Sequence, residues 1–389
     1  MKIELKYGCN PHQRPSSVAF PGTRVPLQVL SGAPSYINIL DALGAWQLVR
    51  ELRQATGKPS AASFKHTSPA GAAVAQPLRE AFRRSQMLPD EPLSPVASAY
   101  ARARGGDRMS SFGDAIAVSD EVDVPLAQLI RREVSDLIIA PSYEAEALDI
   151  LRSKRGGSYR VFQIDPGYEP PETESRELFG FTLSQQRNMA RIDAGLFQNV
   201  VTSETSIPEE ALETLIVATI ALKYTQSNSV CVACDGQVIG TGAGQQSRVH
   251  CTRLACDKAD KWFLQQHPRV LDLAFAEGLT RAERTNIVDQ FLLWDELTEA
   301  EREAARAGLR QMPEPLSVDE RKAWIAGSRG VCLSSDAYFP FRDSIDRASR
   351  SSVQYVAQPG GSLRDDDVTA AAEQYGMVMV HTGLRLFLH

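Results

Sequence analysis

The chain has 389 residues, 43% of them hydrophobic and 23% charged, enough for two or three ordinary domains rather than one core. Its net charge of −6, without a block of Lys and Arg, excludes the usual nucleic-acid surface. No apolar run approaches the roughly 18 residues of a membrane span, Met1–Lys6 is too charged for a signal or transit peptide, and six sparse cysteines form no disulfide framework, so a cytoplasmic location is expected.

Between residues 37 and 56, Ile37, Leu40, Leu43, Leu48, Val49 and Leu52 fall near helical spacing, and Gly57 is a natural stop. The apolar run 61–64 reads as a buried strand. Ser68-Pro69 then reads as the N-cap and first residue of a helix. Strand-like runs at 115–118, 137–140 and 159–164 alternate with helical segments, the grammar of a layered α/β domain. The Pro- and acid-rich stretch 165–172 is the linker candidate. A helix over 209–223 follows, then runs 229–234 and 237–241 around Asp235-Gly236, a strong hairpin signal. A helix over 247–266, a strand near Val331, a helix from Arg342, a strand over 353–357, a helix from Asp365 and a strand over 377–380 complete the pattern. Two α/β units are therefore predicted, 1–170 and 171–389, without a detectable sequence repeat. The second carries a helical insertion near 270–325, whose charged part, 295–308, reads as a solvated face.

Four polar segments sit at predicted strand ends, where α/β architectures place their sites. In Ser63–Gly71, Lys65-His66 puts an imidazole, the side chain that exchanges protons near neutrality, beside a cation. A solvated Lys and a capped His would look the same. The glycines of Arg104–Asp114 permit close backbone approach to a ligand, as they would in an ordinary loop. Tyr224–Ser229 and Gly242–Arg248 flank the hairpin with many amides and hydroxyls, costly to bury unless bonded. The aromatics of Ser334–Asp343 suit either a pocket wall for a flat heterocycle or plain core. Cys231 and Cys234, with Cys251 and Cys256 further on, suggest zinc by count. An offset of three along a strand instead puts the first two on opposite faces, whereas zinc knuckles are tight turns. A dinucleotide fingerprint, a P-loop and a nucleophile elbow are absent.

These segments, in this order, resemble the transformylase half of the bifunctional purine-synthesis family AICAR transformylase/IMP cyclohydrolase. The resemblance runs from Lys6–Gln13 to Thr382–Phe387, through long unusual stretches such as Ser63–Val74, Tyr100–Asp114, Lys223–Val230 and Gly242–Asp257. It implies an α/β fold of two cytidine-deaminase-like three-layer α/β/α domains, without the deaminase zinc signature. It implies formyl transfer from 10-formyltetrahydrofolate to the 5-amino group of AICAR, no zinc, and a homodimer with sites at the interface. A monovalent cation is left open, and a stand-alone transformylase working with a separate IMP cyclohydrolase is expected. By position, Lys65, His66 and Asn228 match the catalytic residues. Lys6, Tyr7, Asn38, Gly113, Asp136, Arg248 and Arg385 match the AICAR side. Met109, Phe112, Ser247, Val249, Tyr338, Asp343, Ser362 and Leu363 match the folate side. Lys6 replaces a family Arg, turning a bidentate phosphate grip into a point charge; Tyr338 replaces a Phe, and Leu388 a His. Two other classes fit the residues alone: a zinc-dependent deaminase on the same fold, and a nucleotide-binding module without catalysis.

Overall fold

The computed structural model of the chain describes residues 2–20, 22–23 and 25–389. Eleven strands make one sheet. In chain order they are β1 (Leu27–Ser31), β2 (Ser60–Lys65), β3 (Ser68–Val74), β4 (Asp114–Val118), β5 (Ser135–Ala140), β6 (Arg160–Ile164), β7 (Val230–Cys234), β8 (Gln237–Gly242), β9 (Val331–Ser335), β10 (Val353–Gln358) and β11 (Val378–His381). Across the sheet they run β11-β10-β9-β7-β8-β3-β2-β4-β5-β6-β1.

This order contains a structural repeat. β2 and β3 form an antiparallel hairpin, β4 lies antiparallel to β2, and β5 and β6 continue parallel to β4. The second half does the same with hairpin β7–β8 followed by β9, β10 and β11. The halves join where β3 pairs antiparallel with β8, at Ala73 and Gln237. Each hairpin is preceded by a long helix, α1 (Tyr36–Thr56) in the first half and α5 (Glu209–Lys223) in the second. Between them lie α2 (Pro95–Gly105), α3 (Val124–Arg132) and α4 (Ala145–Ser153). After them come α6 (Arg248–Leu264), α7 (Arg281–Leu292), α8 (Glu299–Ala307), α9 (Val318–Ala326), α10 (Asp343–Ser349) and α11 (Asp365–Gln374).

Helices cover both faces. α1 and α5 pack together on one face, over a core drawn from both halves. The other face carries α2, α3 and α4 over the first half, and α6, α10 and α11 over the second. Strands covered on both sides have no solvent face and so lose the apolar–polar alternation of half-exposed strands. β4, β7, β8 and β9 are accordingly buried throughout, which explains why they read as runs without alternation. On α5, Leu215, Val217, Ile220 and Leu222 are fully buried, each large aliphatic side chain contributing about 1.5–3 kcal/mol. Leu215→Ala would open a cavity here, at a cost of about 2–5 kcal/mol. α1 ends at Gly57 in the left-handed region, φ 68°, the geometry glycine adopts without steric cost.

The helix expected at Ser68-Pro69 is not formed. Ser68–Val74 is β3, with Ser68 opposite Lys65 across a two-residue turn. The small residues of this stretch favour a helix locally, but they serve close packing instead. A Cβ on Gly71 would stand 2.1 Å from the Ala103 carbonyl oxygen of α2. Tertiary packing overrides local propensity here.

The stretch 165–172 is irregular and leads into an exposed antiparallel hairpin, Thr173–Leu178 with Phe181–Gln186. The 270–325 region holds α7, α8, most of α9 and the short pair Ala274–Phe275 with Leu309–Gln311. No helix among the described residues is long and apolar enough to cross a membrane.

Candidate active site

Strand directions gather the four polar segments on one rim of the sheet. β2 ends and β3 begins there; β4, β5 and β6 begin there; β8 ends, β7 begins, and β9, β10 and β11 end there. Every residue named from the sequence as a site candidate therefore lies on or just beyond this rim, or on a segment resting against it.

Lys65 and His66 occupy the β2–β3 turn. His66 (φ 54°) and Thr67 (φ 63°) both adopt left-handed backbone. This matches the twist of a tight hairpin but costs a non-glycine residue energy, and such strain persists only where the surroundings hold it. Here Asp41 of α1 holds it: its Oδ1 accepts the Thr67 N–H at 2.7 Å. Burial pushes the Asp41 carboxyl above its usual value, while the Thr67 N–H and nearby His66 act in the opposite sense. The Lys65 ammonium donates to the Phe112 carbonyl at 2.6 Å, and His66 is exposed. The second half repeats the brace. Gly236, second residue of the β7–β8 turn, donates its N–H to Thr214 Oγ1 of α5 at 2.9 Å. Thr214 is the sixth residue of α5, as Asp41 is of α1. That second turn carries Cys234 and Asp235 where the first carries Lys65 and His66, so of the two turns only the first presents an imidazole.

Beside this turn lies the Gln226–Asn228 segment, whose Gln226 N–H donates to Ser68 Oγ at 3.3 Å. Asn228 Nδ2 donates to the Gln245 carbonyl at 2.8 Å, and its Oδ1 accepts from Arg248 Nη2 at 2.9 Å. Arg248 also donates to the Ser229 carbonyl at 2.9 Å and pairs with fully buried Asp336. Asp336 further accepts from Ser227 Oγ at 2.6 Å and from the Ser229 N–H and Oγ at 2.9 Å each. Arg248 is thus committed to this internal network, which fixes Asn228.

The first half supplies the rest of its rim. Gly113 (φ 80°) has open space where a Cβ would stand, and its loop presents exposed Met109 and Phe112. Arg104 braces that loop from below, donating to the Ser111 carbonyl and to Asp114 at 2.7 Å each. Asp136 pairs with Arg155 at 3.1 Å. Lys6 and Tyr7 lie against residues 34–36, hydrogen-bonded backbone to backbone. Asn38 Oδ1 caps α1, accepting from the Ser35 N–H at 3.0 Å and the Ser35 hydroxyl at 2.9 Å. In the second half Ser247 and Val249 flank the start of α6, Asp343 opens α10, and Tyr338, Leu363 and Arg385 are exposed. Ser362 Oγ accepts the Arg364 N–H at 3.1 Å.

Sequence reasoning missed Asp41 and Asp336. Asp41 was visible as an acid on the apolar stripe of α1, between Asn38 and Ala45. Asp336 was visible as an acid directly after an apolar strand. Buried carboxylates demand partners. Cys231 and Cys234 do point to opposite faces, one into each core. Burial pushes the Cys234 thiol up to about 11 and those of Cys251 and Cys256 up to about 12. No group of three or more metal-ligating side chains occurs among the described residues.

A cavity of about 920 Å³ between α1 and α5 touches Thr67 and Leu388 but none of the residues assigned to a substrate.

A duplicated α/β fold with its polar segments strung along one sheet rim is the class this geometry defines. Residues 1–258 match the family model described as AICARFT/IMPCHase bienzyme, and the chain belongs to that family. The "Bifunctional purine biosynthesis protein PurH" of Roseobacter denitrificans is 32% identical over 394 residues, covering 99% of this chain and 59% of that protein. Proteins of the same name from Magnetococcus marinus and Cereibacter sphaeroides are 31% identical, with the same coverage. The chain thus spans about 59% of the length of the curated relatives it matches.

Proposed function

We propose that the chain transfers the formyl group of 10-formyltetrahydrofolate to the 5-amino group of AICAR, giving FAICAR and tetrahydrofolate in purine synthesis. The observation that carries this reading is the Lys65-His66 turn, held in left-handed backbone and aimed out of a rim that also bears Asn228, Gly113 and Asp136. The relatives' printed name and the family description point the same way.

The AICAR amine is a weak nucleophile because its lone pair is delocalised into the ring and carboxamide. Holding it against the formyl carbon supplies effective molarity. As the amine nitrogen bonds to that carbon, negative charge gathers on the formyl oxygen, where the Lys65 ammonium answers it. His66 accepts the amine proton and passes it to the folate nitrogen as the carbon–nitrogen bond to the carrier breaks. Asn228 aligns the carboxamide, with Arg248 and Asp336 fixing it from behind. The exposed cations Lys6 and Arg385 suit the phosphate.

The size of the rim supports a dimeric arrangement. Ten strand spacings of about 4.8 Å stretch the rim to roughly 48 Å, with Lys6 and Asp136 toward one end and Arg385 and Ser362 toward the other. One small nucleotide cannot touch both ends, so a second copy would bring complementary segments together in two equivalent sites. The exposed apolar tip of the Thr173–Gln186 hairpin, with Phe179 96% and Phe181 72% exposed, supports such a partner. Each half would then be a cytidine-deaminase-like unit, a reading that its hairpin-plus-three-strand order supports.

The test is turnover with AICAR and 10-formyltetrahydrofolate, followed spectroscopically. His66→Ala should lower kcat by about two to four decades while AICAR binding stays measurable. Wild-type-like turnover in that variant would remove His66 from the mechanism.

A further inference from the structure

The pseudo-twofold relation of the two halves carries the β2–β3 turn at one rim onto the β7–β8 turn at the opposite rim. The catalytic residues have no counterpart at that second turn, but a cavity of about 470 Å³ opens beside it, within the range of small-ligand sites. Strand β7 separates the two places: Asn228 lies before its start and Asp235 after its end, and its five residues span about 17 Å at 3.3 Å per residue.

The cavity's lining is cationic and aromatic. Arg79, Arg102 and Arg329 contribute guanidiniums, and Asp235 is the single carboxylate among the lining residues. Asp235 is already paired with Arg79 at 3.1 Å. Arg329 donates only to the nearby carbonyls of Ala326 and Ser328. Arg102 is 3% exposed; it donates to the Asp235 backbone carbonyl, and its Nε has no partner. Burial pulls its guanidinium down to about 10, as expected of a buried cation that lacks a full counter-charge. A buried guanidinium with no carboxylate of its own is costly, and an incoming anion would relieve that cost. The walls are indoles: Trp262, whose buried Nε1 has no partner, and Trp324, 37% exposed.

We infer that this cavity is a second binding site, for a nucleoside phosphate: the ring lies against the indoles and the phosphate meets Arg79, Arg102 and Arg329. Guanidiniums grip phosphate oxygens in a planar fork, and aromatic walls favour a flat ring. The site is distinct from the catalytic rim and does not depend on the formyl-transfer reading.

The probe is AMP, titrated into the full chain while tryptophan emission is followed, with adenosine and inorganic phosphate as separate arms. Expected results are quenching by AMP that is as strong in Lys6→Ala and Arg385→Ala as in wild type, at least tenfold weaker quenching by adenosine, and displacement of AMP by phosphate. The exposed variants Arg79→Glu and Arg329→Glu should each weaken AMP at least tenfold and leave formyl-transfer turnover unchanged. Absence of quenching at millimolar AMP overturns the site. So does quenching that Lys6→Ala or Arg385→Ala abolishes, that adenosine matches, or that survives both charge reversals in variants with a native circular dichroism spectrum.

Discussion

Asp41 gives the sharpest test of how the Lys65-His66 turn is held. Asp41→Ala removes the acceptor of the Thr67 N–H, a 2.7 Å bond from a buried side chain. A hydrogen bond to a charged group contributes about 1.5–3 kcal/mol, and the turn it restrains contains two left-handed non-glycine residues, each costing about 1 kcal/mol or more. Without the anchor the turn relaxes toward ordinary backbone and carries the imidazole with it. A displacement of about 1 Å costs roughly a hundredfold in rate. Asp41→Ala should therefore lose about 1.5–3 kcal/mol in denaturant unfolding and about 10- to 100-fold in kcat, with AICAR KM changing less. Asp41→Asn keeps an oxygen facing Thr67. Because burial raises the Asp41 pKa, replacing the carboxylate by a neutral amide relieves a desolvation cost at neutral pH. Asp41→Asn should thus match or exceed wild-type stability and recover kcat to within a few-fold. The brace is refuted if Asp41→Ala turns over like wild type, or if Asp41→Asn is as impaired as Asp41→Ala.

Three further outcomes follow from the same structure. If each site pairs His66 of one copy with Asn228 of the other, mixing inactive His66→Ala and Asn228→Ala chains under exchange conditions should restore about a quarter of wild-type turnover, since half the dimers are mixed and one of their two sites is intact; no recovery despite proven exchange assigns His66 and Asn228 of a site to the same chain, as their neighbouring segments within one chain also allow. Burial opposes the charge on Glu133, but Arg108, Arg104 and Arg281 hold its carboxyl below the usual value, so its contribution is complete above about pH 4.5 and is lost as pH falls through the lower folded value. The destabilisation of Glu133→Gln, about 3–5 kcal/mol for a broken buried ion pair, should accordingly shrink in melts below that pH, and a pH-independent difference would contradict the linkage. Elemental analysis of purified protein should give no stoichiometric zinc, because Cys231 and Cys234 face different cores; one zinc per chain would overturn this.

The sequence alone determined the elements whose signals are local. The helix 209–223 is found at those bounds because its apolar residues and flanking Pro208 leave no alternative. The Asp235-Gly236 turn and the buried runs at 115–118 and 331 onward are equally local. Lys65, His66 and Asn228 were legible as polar residues at strand ends, the places α/β folds reserve for sites. Tertiary structure decided the rest. It turned Ser68–Val74 from a helix into a strand, because Gly71 must let the Ala103 carbonyl approach and a strand was needed beside β8. It joined the two halves into a single sheet through one pairing, Ala73 with Gln237, between residues 164 positions apart that no local pattern links. It also committed Arg248 to Asp336 and gave Asp41 the task of holding the His66–Thr67 turn. Periodicity shows which way a side chain points, but a buried charge finds its partner only when distant segments meet, and that meeting is a property of the packed chain.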